Sequence, residues 1–282
     1  MPTLLALFLA PLLAQLQPLP PQLVPLDSPA GEQLLFESSA RAAYFPLTSS
    51  FVTQQSTAFC GVASAVMVLN ALPIAAPVAK EWAPFRAFTQ ENVFAPQSPI
   101  TAALVSSGGL TMEQLGALLR ANGADADVLN ANDSALERFR ADASAALAKS
   151  AHHVLVDFSR PELGQDLGAH WSPLAAYNAK EDRFLVLDVA RFRYPPYWAR
   201  TADLFAAMNT RDLDSGKQRG YILVTPHTGA AGRIEIPSLR HRMKLYALLA
   251  SSILLCIGAT VGAFVGRSLL RRKLAKQFPR AA

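Results

Sequence analysis

Two cysteines occur in the 282 residues, Cys60 and Cys256, and their surroundings differ. Cys60 precedes Gly61 to Leu72, a run of small and apolar helix formers, so its thiol is expected at the N-terminus of a helix. There the macrodipole and the free N–H groups favour thiolate, the form that acts as a nucleophile. A free cysteine is as readily a small buried hydrophobe. Position alone leaves those two readings level. Cys256 lies inside an apolar run. One cysteine in the body of the chain rules out a disulfide framework and a multi-cysteine metal site.

A thiolate nucleophile needs a base, and the base needs a group to orient it. Of the five histidines, His152 and His153 open a strand-like run, and His227 and His241 fall at or beyond the end of the body. His170 stands between Gly168-Ala169 and Trp171-Ser172-Pro173, at the start of another strand. Eighteen residues later Asp188 ends the apolar run Phe184 to Leu187. A carboxylate at the end of a buried strand needs a partner. An imidazole on the neighbouring strand would supply one, in the order Cys, His, Asp. Unrelated chains match such spacing by chance, so spacing alone is a weak signal.

The elements that must position these groups fall in two halves. The first half of the body, residues 31–229, reads as helical. Gly61 to Leu72 is one helix. Thr111-Met112-Glu113-Gln114 forms a capping-box pattern, with Leu115, Leu118 and Leu119 behind it and Gly123 at the stop. Ser134 to Glu137 repeats that start signal before a helix ending near Lys149. The second half reads as strands at His153 to Phe158, Arg183 to Val189 and Gly220 to Val224. Helices followed by antiparallel-type strands predict an α+β domain.

Both ends differ from the body. Leu4 to Ala14 is apolar and too short to span a bilayer, so residues 1–14 read as a signal-peptide-like segment. Residues 15–30 carry Pro18, Pro20, Pro21, Pro25 and Pro29, which predicts a stiff linker. Residues 245–266 hold no formal charge and are long enough for a transmembrane helix. Three basic residues precede that stretch and six follow it, so the positive-inside rule predicts a cytoplasmic tail at 267–282 and a catalytic domain exported to the periplasmic side. Gly262 and Gly266 form a G-x-x-x-G pair that suits a homodimer. From Arg233 onward ten Lys/Arg and one acidic residue give +9, leaving sixteen basic and twenty acidic residues, or −4, for the rest. A nucleic-acid binder would carry its basic surface on the folded body, so nucleic acid is not an expected partner.

Four stretches carry a family resemblance. FVTQQSTAFCGVASAVMVLNAL at 51–72, WAPFRAFTQENVF at 82–94, AHWSPLAAYN at 169–178 and FLVLDVARFRYPPYW at 184–198 resemble successive segments of the phytochelatin synthases, in family order. The resemblance implies a papain-like cysteine protease fold and a Cys60, His170, Asp188 triad. It implies Gln54 as a donor to the oxyanion. It also implies glutathione as substrate, cut between cysteine and glycine through a γ-glutamylcysteinyl thioester on Cys60. Water would release γ-glutamylcysteine, and a second glutathione would give a phytochelatin.

Arg219 resembles a family arginine that contacts substrate, and its planar fork suits a carboxylate. Asp157, Arg160 and Ala169 fall where the family lines its site, with Asp157 in place of an amide and Ala169 in place of glycine. Arg191, Arg193, Tyr194, Pro195 and Pro196 follow the aspartate and would either shape the loop above the site or serve purely structural roles. The eukaryotic enzymes carry a cysteine-rich C-terminal domain where this chain has its apolar stretch. That resembles the shorter prokaryotic relatives, which mainly remove glycine from glutathione. No tightly bound cofactor and no protein metal site are implied. A divalent heavy metal would enter as a metal–glutathione thiolate. The competing readings are a papain-like peptidase acting on exported peptides and a membrane-tethered thiol or metal-binding module. One body cysteine is a poor basis for the latter.

Overall fold

The computed structural model describes residues 16–94, 98–133, 135–166 and 168–227. The chain divides into two compact units, Met1–Gly232 and Arg233–Ala282, and the described residues all lie in the first. In chain order the elements are β1 (Val24–Pro25), α1 (Pro29–Glu37), α2 (Tyr44–Ser49), α3 (Cys60–Ala71), α4 (Ala102–Gly108), α5 (Met112–Ala121), β2 (Ala124–Asn130), α6 (Leu136–Leu147), β3 (His153–Ser159), β4 (Ala169–Asn178), β5 (Arg183–Val186), β6 (Tyr197–Arg200), α7 (Thr201–Met208) and β7 (Gly220–Pro226). The seven strands form one sheet in the order β1-β6-β5-β4-β3-β7-β2, with every pairing antiparallel.

The helices follow local chemistry. Helix α3 is apolar nearly all round, and ten of its twelve residues are buried. Such a helix has no solvent face and must sit inside the domain. It packs on β4, where Ser64 donates to the Trp171 carbonyl at 3.3 Å. Helix α5 starts at a true capping box: Gln114 N donates to Thr111 Oγ1, and Thr111 N donates to Gln114 Oε1. Met112, Leu115, Leu118 and Leu119 form its buried stripe.

The sheet is the half that sequence reading covered least. Strand β2 reads ADADVLN, with few strand-favouring side chains, yet pairs with β7 over all seven residues. Its buried Ala124 and Ala126 alternate with the acidic Asp125 and Asp127, a period-two signal hidden by low β propensity. Strand β6 begins in the aromatic tail of the Asp188 segment and runs on to Arg200, and β4 runs three residues past Ala175 before ending.

Two expectations are corrected. The stretch 15–30, expected as a stiff linker, is packed and paired on the body over residues 16–26. Leu23 is buried, Gln17 N donates to the Arg193 carbonyl, Leu26 N donates to the Pro196 carbonyl, and Val24–Pro25 pairs with β6 as an edge strand. Proline is tolerated on a sheet edge because the missing N–H faces outward.

The expected fold class is corrected at its terminal membrane helix; the described residues form mixed helices and an antiparallel sheet. Among the described residues no helix is long and apolar enough to cross a membrane. The longest, α3 and α6, have twelve residues each, or roughly 18 Å at 1.5 Å per residue, against a hydrocarbon core of about 30 Å. Residues 245–266, the tail 267–282, the G-x-x-x-G pair and the signal-like segment 1–14 all lie outside the described residues. Membrane anchoring, and the exported location that rested on it, is therefore unsupported and is not carried further.

Candidate active site

Cys60 is the first residue of α3, buried and unpaired in any disulfide. Gly61 makes its position tenable. A Cβ there would stand 3.2 Å from a Leu110 methyl and 3.3 Å from the Trp171 ring, so only glycine lets the helix start lie this close to β4 without displacing either. Burial pushes the Cys60 thiol up to about 11. Backbone hydrogen bonding from Trp171 and Gly61 and the charge of Arg160 pull it back in part, while Asp157 adds to the rise. The expected thiolate at a helix N-terminus is thus reversed in the resting site. Desolvation of the charged form outweighs the helix end.

His170, the second residue of β4, is buried beside Trp171, whose backbone meets the thiol. Its Nε2 stands 2.9 Å from Asp188 Oδ1. The Phe158 ring, its partner in the β3–β4 register, meets the imidazole edge-on at 5.7 Å. Burial pulls the imidazole below its ordinary value. Asp188 pushes back, and Arg160 and Arg193 add to the fall. Asp188 is fully buried just past β5, and it receives the Ala190 N–H at 2.9 Å. Burial alone would raise its carboxyl, but His170, Arg160 and the Ala190 N–H together hold it below the ordinary carboxylate range.

Gln54 lies in the loop before α3, buried, with its backbone N donating to the Val189 carbonyl at 3.0 Å. Its side-chain amide gives one N–H to the Ser56 carbonyl at 2.7 Å. An amide carries two N–H donors, and Ser56 takes one of them. Gln90 braces that loop from both sides. It accepts from Gln55 N at 3.0 Å and donates to the Thr53 carbonyl at 2.9 Å. No local signal marks Gln90, because its partners lie 35 and 37 residues away.

A cavity of about 290 Å³ opens beside Cys60. Asp157, Ala169, Trp171, Asp212, Asp214 and Arg219 are among the residues that line it. The register sets Asp157 against Trp171. Burial pushes the Asp157 carboxyl up to about 8; Arg219 pulls against this and Asp212 adds to it. Arg219 Nε stands 3.6 Å from Asp157 Oδ1, and neither atom has a hydrogen-bond partner. The guanidinium is oriented by the Thr210 hydroxyl and the Arg211 carbonyl, with Asp212 at 3.8 Å. The Asp212 carboxylate also closes its own turn on Ser215. Nothing in the stretch Asp212-Leu213-Asp214-Ser215-Gly216 distinguishes it in sequence from an ordinary surface turn.

Of the residues expected to touch substrate, Asp157, Ala169 and Arg219 therefore share the cavity with Cys60. Arg160 does not line it. It is buried at 2% exposure, against Asp188. Among the described residues no group of three or more His, Cys, Asp or Glu side chains is arranged to hold a metal ion.

Comparison with known proteins bears on this arrangement. The model of the family described as Phytochelatin synthase matches residues 14–221. A protein of Lotus japonicus named glutathione gamma-glutamylcysteinyltransferase 3 is 33% identical over 224 residues, 78% of this chain and 46% of the relative. Glutathione gamma-glutamylcysteinyltransferase 2 of Arabidopsis thaliana is 34% identical over 213 residues, 74% of this chain and 46% of the relative. The glutathione gamma-glutamylcysteinyltransferase of Schizosaccharomyces pombe is 29% identical over 212 residues. The chain spans about half the length of the curated relatives it matches.

Proposed function

The chain belongs to the phytochelatin synthase family, and from that premise we propose that it is a glutathione γ-glutamylcysteinyltransferase working through a thioester on Cys60. The observation that carries this reading is the His170–Asp188 contact of 2.9 Å, one residue along β4 from the backbone that meets the Cys60 thiol. Other features of the cavity agree. Glutathione bears carboxylates and an ammonium group. Arg219 offers a fork to a carboxylate, and Asp212 and Asp214 offer negative charge to the ammonium across the same 290 Å³ space.

The thiol is pushed up and the imidazole pulled down, both of which favour the neutral forms in the resting pair. His170 therefore acts first as base. It takes the Cys60 proton as the sulfur attacks the cysteinyl carbonyl of glutathione. The oxyanion accepts from the second Gln54 N–H and from the Cys60 backbone N–H, one of the unpaired donors of a helix start. A donor in this position is worth about a hundredfold or more in rate. His170 passes the proton to the glycine nitrogen, the C–N bond breaks, and glycine leaves. Water, or the amino group of a second glutathione, attacks the thioester with His170 again as base. The C–S bond then breaks and the thiol regains its proton. A heavy-metal ion enters as part of the substrate, on glutathione thiolates, in keeping with the softness of sulfur ligands.

Mass spectrometry of products from the protein and glutathione, with and without a divalent heavy metal and beside Cys60→Ala, tests this. Free glycine with γ-glutamylcysteine, or glutathione extended by one γ-glutamylcysteinyl unit, is expected from the native chain and from neither condition of the variant. Cleavage of ordinary peptides without release of glycine from glutathione would overturn the substrate and put a peptidase in its place.

A further inference from the structure

Asp188 has two side-chain partners, His170 and Arg160, and only His170 enters the chemistry above. The other is Arg160, in the turn between β3 and β4. Its side chain is 2% exposed and that of Asp188 0%. Arg160 Nη2 stands 3.0 Å from Asp188 Oδ1 and 2.9 Å from Oδ2. Nη1 donates to Gln165 Oε1 at 2.7 Å. The guanidinium lies over the Tyr194 ring at 5.0 Å from its centroid and 6.0 Å from that of Phe158. Those two rings belong to the very segments that flank the ion pair: Phe158 is paired with His170 in the sheet, and Tyr194 follows Asp188 in the chain. The turn itself is fixed, since Arg160 N donates to the Gly168 carbonyl and Gln165 N to the Arg160 carbonyl. The arginine is thus held on every side before it touches the carboxylate.

A buried cation this well held cannot reach into the cavity, and it shares no lining with Cys60, Asp157 and Arg219. It does two things where it is. It gives Asp188 a second, fixed partner, so the carboxylate keeps one orientation toward His170 Nε2. It also cancels much of the negative charge that Asp188 presents to the imidazole. An uncompensated buried carboxylate would draw the proton onto His170 and take away the base. The charged groups that act on His170 are Asp188 from the end of β5, Arg160 from the β3–β4 turn and Arg193 from the segment after Asp188. Of the two arginines, Arg160 contacts the carboxylate directly.

We infer that Arg160 is a positioning residue of the active site, which locks Asp188 in the one orientation that holds His170 ready to accept the Cys60 proton. The inference rests on the proposed role of His170 as base, and assigns Arg160 a place other than substrate contact.

The test pairs Arg160→Gln with Arg160→Lys in the full chain and reads two quantities. One is the titration of the His170 imidazole by NMR in the resting protein, which needs no turnover. The other is the pH profile of kcat/KM for glutathione. In Arg160→Gln the His170 titration and the acid limb of the profile are expected to move together toward higher pH, by about one unit for loss of a contacting charge. Lysine keeps the charge but not the fork, so Arg160→Lys should restore most of the titration while kcat stays low and KM changes little. A rise in KM with the titration and the acid limb unmoved would overturn the inference and return Arg160 to substrate binding. If Arg160→Gln fails to fold, Arg160→Lys alone decides: native kcat together with raised KM sinks the proposal. A shifted His170 titration in a protein that does not act on glutathione would keep the inference and sink the substrate.

Discussion

Asp157 is the residue whose chemistry departs furthest from its type. Burial keeps its carboxyl protonated up to about 8, beside Cys60 and 3.6 Å from Arg219 Nε. A protonated carboxyl offers one O–H donor and one carbonyl acceptor, as an amide offers N–H donors and a carbonyl acceptor. Above about 8 the proton leaves, and the new negative charge disfavours thiolate at Cys60, the direction in which an ionised Asp157 acts on the thiol. Turnover should therefore fall on the alkaline side as Asp157 ionises. Asp157→Asn should leave activity at pH 7 within about threefold and remove the alkaline fall, on the ground that an amide cannot ionise. A pH profile of both proteins checks this; identical alkaline limbs would show that Asp157 does not couple to the thiol.

At the scale of the element, α3 and β3 are joined by a group that titrates in the wrong place. His153 opens β3, fully buried, and lies by the C-terminal end of α3 at Ala71. Burial pulls it down from 6.5 to about 4. In the unfolded chain the imidazole takes a proton below 6.5, while in the folded chain it resists until about 4. The unfolded state then binds more protons in that window, so stability rises with pH across it. The contribution is fully present above 6.5 and is lost as pH falls through 4. His153→Leu should flatten this slope, and melting temperatures between pH 4 and 7 measure it. A slope unchanged in the variant would assign the acid loss to other groups. The element scale also explains the bracing of Gln54, since Gln90 fastens the loop ahead of α3 from a segment with no regular structure.

For the whole described body, residues 16–26 fasten the side of the sheet where Asp188 emerges. Leu23 packs into the core, and the backbone of Gln17 and Leu26 pins residues 193 and 196, just beyond the carboxylate. Leu23→Ala should cost about 3 kcal/mol, the usual range for a buried leucine. That is roughly 10 °C in melting temperature for a body of this size. Activity should fall more steeply with temperature than in the native chain, because the loop after Asp188 loosens first. Thermal unfolding followed beside glycine release tests both, and a loss under about 1 kcal/mol would show that the segment rests on the surface without supporting it.

The sequence by itself determined the chain order of the candidate groups and the local elements around them. Cys60 ahead of an apolar helix, the capping box at Thr111, and His170 and Asp188 at strand ends are local patterns, and local patterns are what helix caps and apolar runs encode. Asp157, Arg160, Ala169 and Arg219 are marked only by the family resemblance of their segments; three of the four line the cavity beside Cys60 and Arg160 does not. Only the tertiary structure decided the protonation of the thiol, the place of Arg160 against Asp188, and the roles of Gln90 and Asp212. Each of these depends on burial or on partners many residues away, and neither burial nor a distant partner leaves a mark on adjacent letters of the chain. The strand β2 and the proline-rich segment follow the same rule: their own propensities argue against order, and pairing across the sheet supplies it.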